Sequence, residues 1–282
     1  MKLLVFGKTG QVARELILQG GAHEITALGR DQADLSDLEA CAALIAQSDA
    51  DAVINAAAYT AVDRAEEEET LATVINGETP GAMARACAAK DIPFLHVSTD
   101  YVFDGAGEKP WVPTDPVAPQ NAYGRSKLTG EQAVRAAGGN HLILRTSWVF
   151  SAHGTNFVKT MLRLSESRDQ LTVVADQIGG PTAARDIAKA LLAIAPQLET
   201  RQGGTYHFAG QPSVSWADFA REIFPKSGCK TQVTDIPTSD YPTPAKRPLN
   251  SRMDCADLTT DFGVVIPDWR TSLDEVLRDL NA

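Results

Sequence analysis

A hydroxyl, a phenol and an ammonium stand at spacings that could bring them to one point. Tyr123 and Lys127 are four residues apart in Tyr123-Gly124-Arg125-Ser126-Lys127, and in a helix such a pair shares one face. Thr99 lies in Val97-Ser98-Thr99-Asp100-Tyr101, where an apolar run from Ile92 to Ser98 reads as a buried strand. Ligands of open α/β sheets bind at the carboxyl ends of strands, so Thr99 falls where a substrate oxygen would lie. A free phenol titrates near ~10. A cation within roughly 4–6 Å favours the phenolate, and a pKa closer to working pH suits a general acid. The chemistry expected is proton donation by Tyr123 to an oxygen held at Thr99, with Lys127 lowering the phenol. By itself the Tyr-x-x-x-Lys spacing is more often a solvated helix face, so the reading depends on the residues that precede it.

Those residues supply a nucleotide site. Leu3 to Phe6 is a short apolar run of the kind that forms a strand covered on both faces. Gly7-Lys8-Thr9-Gly10-Gln11-Val12-Ala13 follows, then a helical pattern to Gln19, then a second strand over Ile25–Leu28. This is a βαβ unit of about 30 residues with a Gly-rich turn at the helix start. Backbone N–H groups and the positive end of the helix dipole make that turn a site for pyrophosphate. Gly7 permits the tight turn and Gly10 the close approach of phosphate, while Ala13 takes the third small position. At the end of the second strand, an acid selects NAD and an arginine the extra phosphate of NADP. The residues there are Gly29-Arg30-Asp31. Arg30 favours NADPH and Asp31 leaves NADH possible; an ordinary exposed loop arginine accounts for Arg30 equally well.

The elements that must position these groups alternate along the chain. Ser36-x-x-Glu39 is a capping-box pattern, followed by a helix to about Gln47. Ala52 to Ala58 is a strand ending in small residues. Thr70 to Ala89 is helical in pattern, with Gly77 and Pro80 marking a break or kink. Leu142–Arg145 is another strand. Strands alternating with helices predict an α/β fold, a doubly wound parallel (Rossmann) sheet. After Arg145 the texture changes, and a smaller C-terminal α/β lobe is expected. The division read from the sequence is a dinucleotide-binding domain over 1–145, to which 170–210 return, and a substrate-binding lobe over 146–169 and 211–282.

Composition sets bounds. The 282 residues are 44% apolar and 22% charged, ordinary for a globular protein. A formal charge of −10 argues against a nucleic-acid surface and an anionic membrane surface. Four cysteines, far apart, form no metal-type pair and read as reduced thiols. Met1 to Phe6 is too short for a signal peptide, and no apolar stretch is long enough to span a membrane. A cytoplasmic setting is expected. In this acidic chain Pro242 to Pro248 is stiff and basic, either a surface linker or a loop for a phosphate-bearing substrate; Arg247 has a planar fork able to hold two phosphate oxygens.

Taken together, several runs resemble the extended short-chain dehydrogenase/reductases, and within them the dTDP-4-dehydrorhamnose reductase family. They are Phe6 to Val12, Asn55 to Asp63, Ser98 to Gly105, Tyr123 to Leu128, Arg145 to Phe150, and Arg247-Pro248 with Asn250-Ser251, in the family's order over nearly the whole chain. The resemblance implies reduction of the 4-keto group of a dTDP-sugar by hydride transfer from NADPH or NADH. It implies that Thr99 bonds the keto oxygen, Tyr123 donates the proton, and Lys127 holds the nicotinamide ribose and lowers the phenol. Asp100, Trp148 and Arg247 are implied for the substrate. Gly7, Thr9, Gly10, Gln11, Val12, Arg30, Asp34, Leu35, Ala57, Ala58 and Tyr59 are implied for the cofactor, with Tyr123 and Lys127 beside them. Some members form dimers bridged by magnesium between helix carboxylates. Glu15 matches one such position, but Arg185 stands where an acid is expected, so no metal is assigned and the chain is read as a monomer or weak homodimer. Other readings of the same residues are a reductase or epimerase of another nucleotide sugar, and a non-catalytic NADP-binding regulatory subunit.

Overall fold

Alternate residues of the apolar runs point to opposite faces of one sheet. Leu3, Val5, Ile54 and Leu144 face one layer, and Leu4, Phe6, Val53 and Ile143 the other. The structure, a computed structural model describing residues 1–281, carries these runs as parallel strands. They are β1 (Lys2–Phe6), β2 (Glu24–Leu28), β3 (Ala52–Asn55), β4 (Phe94–Thr99) and β5 (His141–Thr146). The helices between them are α1 (Gln11–Gln19), α2 (Leu38–Gln47), α3 (Glu69–Thr73), α4 (Thr79–Ala89) and α5 (Ala122–Ala136). Beyond β5 come β6 (Val149–Phe150), α6 (Phe157–Ser165), β7 (Gln170–Val174), β8 (Ile178–Gly179), β9 (Thr182–Ala183), α7 (Ala184–Ile194) and β10 (Gly204–His207). The remainder is β11 (Val214–Ser215), α8 (Trp216–Lys226), β12 (Gln232–Ile236), β13 (Asn250–Ser251), α9 (Ala256–Phe262) and α10 (Trp269–Leu280).

The large sheet has the order β10-β5-β4-β3-β1-β2, with every neighbouring pair parallel. It is a doubly wound α/β fold. Helices α1, α7 and α9 cover one face through Leu16, Leu191 and Leu258. Helices α2, α4 and α5 cover the other through Ile45, Met83 and Val134. The strand order reverses between β1 and β3, and that switch point opens a crevice at their carboxyl ends.

The smaller lobe has its own core of Phe150, Val158, Leu171, Phe219, Trp269 and neighbours. The sequence reading returns 170–210 as a block to the large sheet, and the packing divides that block. β7 pairs with β12 over Gln170–Val174 and buries Leu171 and Val173 in the lobe. Helix α7, the turn after it with Ala195 and Leu198, and β10 with Phe208 go back to the large sheet. Within 211–282, Leu258, Phe262 and Val264 likewise join the core of the large sheet rather than that of the lobe.

One local expectation is corrected and a second takes a definite form. The cap of α2 is Asp37, whose carboxylate accepts the Ala40 N–H at 2.9 Å. Ser36 does not cap, because its backbone N–H and hydroxyl both donate to the Asp34 carboxylate. The break expected near Gly77 and Pro80 is a π-helical turn, Val74–Glu78, between α3 and α4. Its wider register absorbs a residue and places Pro80 in the first turn of α4, where a missing N–H costs little.

That turn lets α5 approach closely. A Cβ on Gly130 would lie 2.1 Å from the Asn76 carbonyl oxygen, and one on Gly77 would lie 2.9 Å from the Thr129 methyl carbon. Gly130→Ala is therefore expected to destabilise the protein by about 1–3 kcal/mol, because backbone cannot yield as a side chain would. Urea denaturation of both proteins measures it, and a midpoint equal to wild type would show that the helix is free to shift.

Candidate active site

The crevice at the switch point is a cleft of about 810 Å³. Its floor is the Gly-rich turn. Gly7 has φ +114°, a conformation that disfavours any side chain, and a Cβ there would sit 3.3 Å from the Ala13 Cβ. Ala13 is thus the small residue that packs α1 against the turn, which explains why it serves in place of a third glycine. Gly10 begins α1 as its N-cap, and a Cβ there would meet no protein atom within 4 Å. The free N–H groups of the first helical turn face this opening. Thr9, Gln11 and Val12 line it with them, and Ala57 and Ala58 line it from the end of β3.

The cleft has a basic end. Arg30 lines it with its side chain 80% exposed, held loosely by Asp34 at 3.3 Å. Asp34 and Leu35 line the same end. The Asp34 carboxyl is lowered below its usual range, first by the Ser36 backbone and hydroxyl and then by Arg30. Lys8 is a second cation on this wall. Its aliphatic stem would lie 3.6 Å from a Cβ on Gly29, so the two basic side chains flank one turn. Sequence reasoning passed over Lys8; its position inside the glycine turn was the available signal.

Thr99, Asp100, Tyr123, Lys127 and Trp148 all line the far side of the cleft. Thr99 ends β4 and donates its hydroxyl to Asp100 Oδ1 at 3.0 Å. Asn121 caps α5, accepting the Gly124 N–H at 2.8 Å, and so fixes Tyr123 in the first turn. The Tyr123 phenol is pushed up to about 12, by burial and then by the Asp100 charge, with the Thr99 hydroxyl offsetting part. This corrects the expectation that Lys127 lowers the phenol. The Lys127 ammonium is turned towards the sheet, where Nζ donates to the Val97 carbonyl at 2.7 Å, and burial lowers its own pKa to about 8.

Trp148 follows β5 with φ +50°, a strained value for a bulky residue. Its indole stacks on Trp216 with ring centroids 3.6 Å apart and planes 9° from parallel. A Cβ on Gly179 would lie 2.7 Å from it, so the ring is clamped from two sides.

Two expected residues do not line the cleft. Tyr59 donates its phenol to Glu68 at 2.7 Å and its backbone N–H to Asn76 at 2.8 Å, which turns the side chain away. Arg247 is bound to Asp63 at 2.7 Å through Nη2, behind the cleft residue Tyr101. Asp63 thereby takes one side of the guanidinium expected to grip two phosphate oxygens, and Nη1 is buried without a partner.

The cleft holds further polar atoms that the protein leaves unmatched. Asp100 Oδ2 and Thr146 Oγ1 are buried and have no hydrogen-bond partner. Such atoms are costly unless something polar meets them, and the hydroxyls of a sugar have the right chemistry. The Gly-rich turn, the basic end and this polar end suit a dinucleotide and a polyhydroxylated partner laid end to end. Among the described residues no group of three or more His, Cys, Asp or Glu side chains is gathered for a metal ion. Arg185 is engaged by Glu275 at 3.1 Å and Asp279 at 3.5 Å.

The model of the RmlD substrate binding domain family matches residues 1–282. A dTDP-4-dehydrorhamnose reductase of Sinorhizobium fredii is 45% identical, over 96% of this chain and 95% of that protein. The crystal structure of a dTDP-4-dehydrorhamnose reductase from Clostridium acetobutylicum superposes with a TM-score of 0.95 at 37% identity, over all of both chains. That of the Bacillus anthracis reductase, in complex with NADP, gives 0.92 at 32% identity over 99% of each. The chain belongs to the dTDP-4-dehydrorhamnose reductase family.

Membership gives the buried acid of this family member, Asp100, a measurable signature. Burial raises its carboxyl to about 6, against the lowering effect of Ser251, Thr99 and backbone donors. The folded state therefore binds more protons than the unfolded one between the ordinary value of about 4 and pH 6. Stability falls as pH rises through that window and the loss is complete above it. Asp100→Asn is expected to raise stability by about 1–3 kcal/mol at pH 7.5 and by little at pH 4, as read by denaturant titration at both values. An equal change at the two pH values would remove the ionised carboxylate as the cause.

Proposed function

We propose that the chain reduces the 4-keto group of dTDP-4-dehydro-L-rhamnose to give dTDP-L-rhamnose, with NADPH as the preferred reductant and NADH as a possible one. The observation that carries this reading is one continuous cleft. It runs from a phosphate-binding turn with two cations beside it to a buried Thr99–Tyr123 pair, with Asp100 and Thr146 offering unmatched polar atoms. NADPH, when bound, supplies the hydride. Gly7 and Gly10 would hold its pyrophosphate, and Arg30 with Lys8 its additional phosphate.

The residues of this chain do the rest. Thr99 holds the keto oxygen at the end of β4. Trp148, clamped by Trp216 and Gly179, closes one wall and fixes the sugar's plane. Asp100 and Thr146 take sugar hydroxyls. As hydride reaches carbon 4, the C=O π pair becomes an alkoxide, and Tyr123 gives its proton to that oxygen. A phenol raised by burial remains fully protonated at neutral pH, so it acts as donor, and an alkoxide is basic enough to take the proton. Lys127 holds the ribose next to this step. Arg247, held by Asp63 behind Tyr101, would make a charge-assisted contact to the substrate diphosphate only if its buried Nη1 were uncovered. A non-catalytic regulatory role is the weaker reading because the Thr99–Tyr123–Lys127 set is intact. Three of the four free cysteines are buried, and no helix among the described residues is long and apolar enough to cross a membrane. A cytoplasmic monomer or weak homodimer completes the reading.

Tyr123→Phe should leave NADPH binding nearly unchanged and lower kcat by roughly 10²-fold or more, the worth of a positioned acid. Single-turnover assays on the 4-keto sugar give the rate, and near wild-type turnover would remove Tyr123 as donor. Arg30→Ala should weaken NADPH by about 10-fold, as expected for a charged contact of roughly 1.4 kcal/mol, and leave NADH little changed. The ratio of kcat/KM for the two cofactors tests it, and equal losses would exclude a contact to the additional phosphate.

A further inference from the structure

Lys127 ends a chain of polar contacts that starts at a strand end. Its Nζ lies 2.7 Å from the Val97 carbonyl oxygen and 3.3 Å from His96 Nε2. His96 is fully buried. Its other ring nitrogen, Nδ1, lies 3.2 Å from Asn55 Nδ2. Asn55, buried at the end of β3, accepts the Ala57 N–H on Oδ1 at 3.2 Å.

Counting donors gives this chain a direction. The Ala57 N–H only donates, so the Asn55 oxygen faces it and the Asn55 amide nitrogen faces His96. That nitrogen also only donates, so His96 Nδ1 accepts and carries no proton. Burial, reinforced by Lys127, holds the ring neutral. A neutral imidazole with a bare Nδ1 carries its proton on Nε2, and here Nε2–H points at the lysine. Against an ammonium, two donors oppose each other. Against an amine, the Nζ lone pair accepts from His96 while an Nζ–H donates to Val97. Every link is then satisfied. Turning the Asn55 amide over only moves the opposed pair to Ala57.

We propose that Asn55 and His96 are positioning residues that oppose the ammonium form of Lys127 and thereby set its proton affinity. The other ionisable groups around it are few. Glu131, one turn further along α5, favours the ammonium, but its carboxylate is engaged by Arg145 and Ser98. Tyr123, one turn back, and Asp100, beyond β4, face each other across the cleft end. Burial acts in the same direction as the relay and lowers Lys127 to about 8. A lysine present in both forms near neutral pH can take up or release a proton at the cleft wall, where a permanent ammonium supplies only charge. The inference rests on the proposed reduction for this purpose alone, because its geometry is tested on the free protein.

Lysine labelled with ¹³C at Cε allows the titration to be followed by NMR in the full chain, with the Lys127 signal assigned by its loss in Lys127→Met. Wild type should titrate at least about one pH unit below the exposed lysines. His96→Phe keeps an aromatic ring and the burial but removes the opposing Nε2–H. The relay predicts that the Lys127 midpoint rises by about one pH unit, whereas burial alone predicts an equal or lower value. Asn55→Leu frees Nδ1 to take the ring proton and adds no charge, so it should also raise the midpoint, and it serves if His96→Phe does not fold. A midpoint at or below wild type in a folded variant, or a wild-type Lys127 titrating with the exposed lysines, would overturn the relay. A Tyr123→Phe enzyme of undiminished rate would remove Tyr123 as the proton donor and leave the titration result standing.

Discussion

Helix α5 carries both Tyr123 and Lys127, and the site depends on how closely that helix approaches its neighbours. Gly124 fits under the Tyr101 carbonyl, where a Cβ would come within 2.3 Å of the oxygen, and Gly130 fits under the Asn76 carbonyl. These two contacts fix the helix at both of its inner turns against backbone, which cannot repack as side chains do. The π-helical turn at Val74–Glu78 belongs to the same constraint, because the Asn76 carbonyl that Gly130 meets is part of it. With the helix pinned, the phenol of Tyr123 has no freedom to leave the end of β4, and the Thr99 hydroxyl and the Tyr123 ring meet on one side of the cleft.

Close approach brings charges into an apolar interior, and the structure answers each differently. Glu131 and Arg145 are matched by two hydrogen bonds of 2.7 and 2.8 Å, with Ser98 adding a third to the carboxylate. This pair lowers the Glu131 carboxyl and stays ionised beneath the site. Removing one partner of such a pair is far more costly than the pair's net worth, so it acts as a fixed base plate. Asp100 and Lys127 are not matched in this way. Their pKa values move towards neutrality instead, Asp100 upward and Lys127 downward. The division separates structural charge from charge available for chemistry.

The strands, their order of appearance and the glycine turn were legible because a parallel sheet buried on both faces demands short continuous apolar runs. Tyr123, Lys127 and Thr99 were legible from spacing and from matching runs. What remained hidden depended on direction. Nothing in the sequence says that the Lys127 ammonium turns to the Val97 carbonyl or that Asp63 occupies half of the Arg247 guanidinium. Nor does it say that Asp34 draws Ser36 away from the helix end and leaves Asp37 to cap. The return at 170 failed for a related reason. Gln170–Val174 has the pattern of any β-strand, and its partner, β12, lies 62 residues later in the chain. Strand pairing across such a gap is decided by packing, not by local propensity.

Trp148 shows how the two lobes are made into one site. It is the second residue after the end of β5, so it belongs by chain to the large sheet, yet its ring is held by Trp216 and Gly179 of the smaller lobe. A φ of +50° at a bulky residue costs on the order of 1–3 kcal/mol and persists only where its surroundings over-determine it. Here the surroundings are a stacked indole and a bare backbone position, and the Trp216 ring is itself fixed by its Nε1–H on Gln177 at 3.2 Å. An unstrained backbone would send the ring elsewhere and leave the cleft open on that wall. The strain and the stacking therefore have to be considered together: the lobe holds the tryptophan against its backbone preference, and the tryptophan in turn joins the lobe to the strand ends that carry the reacting groups.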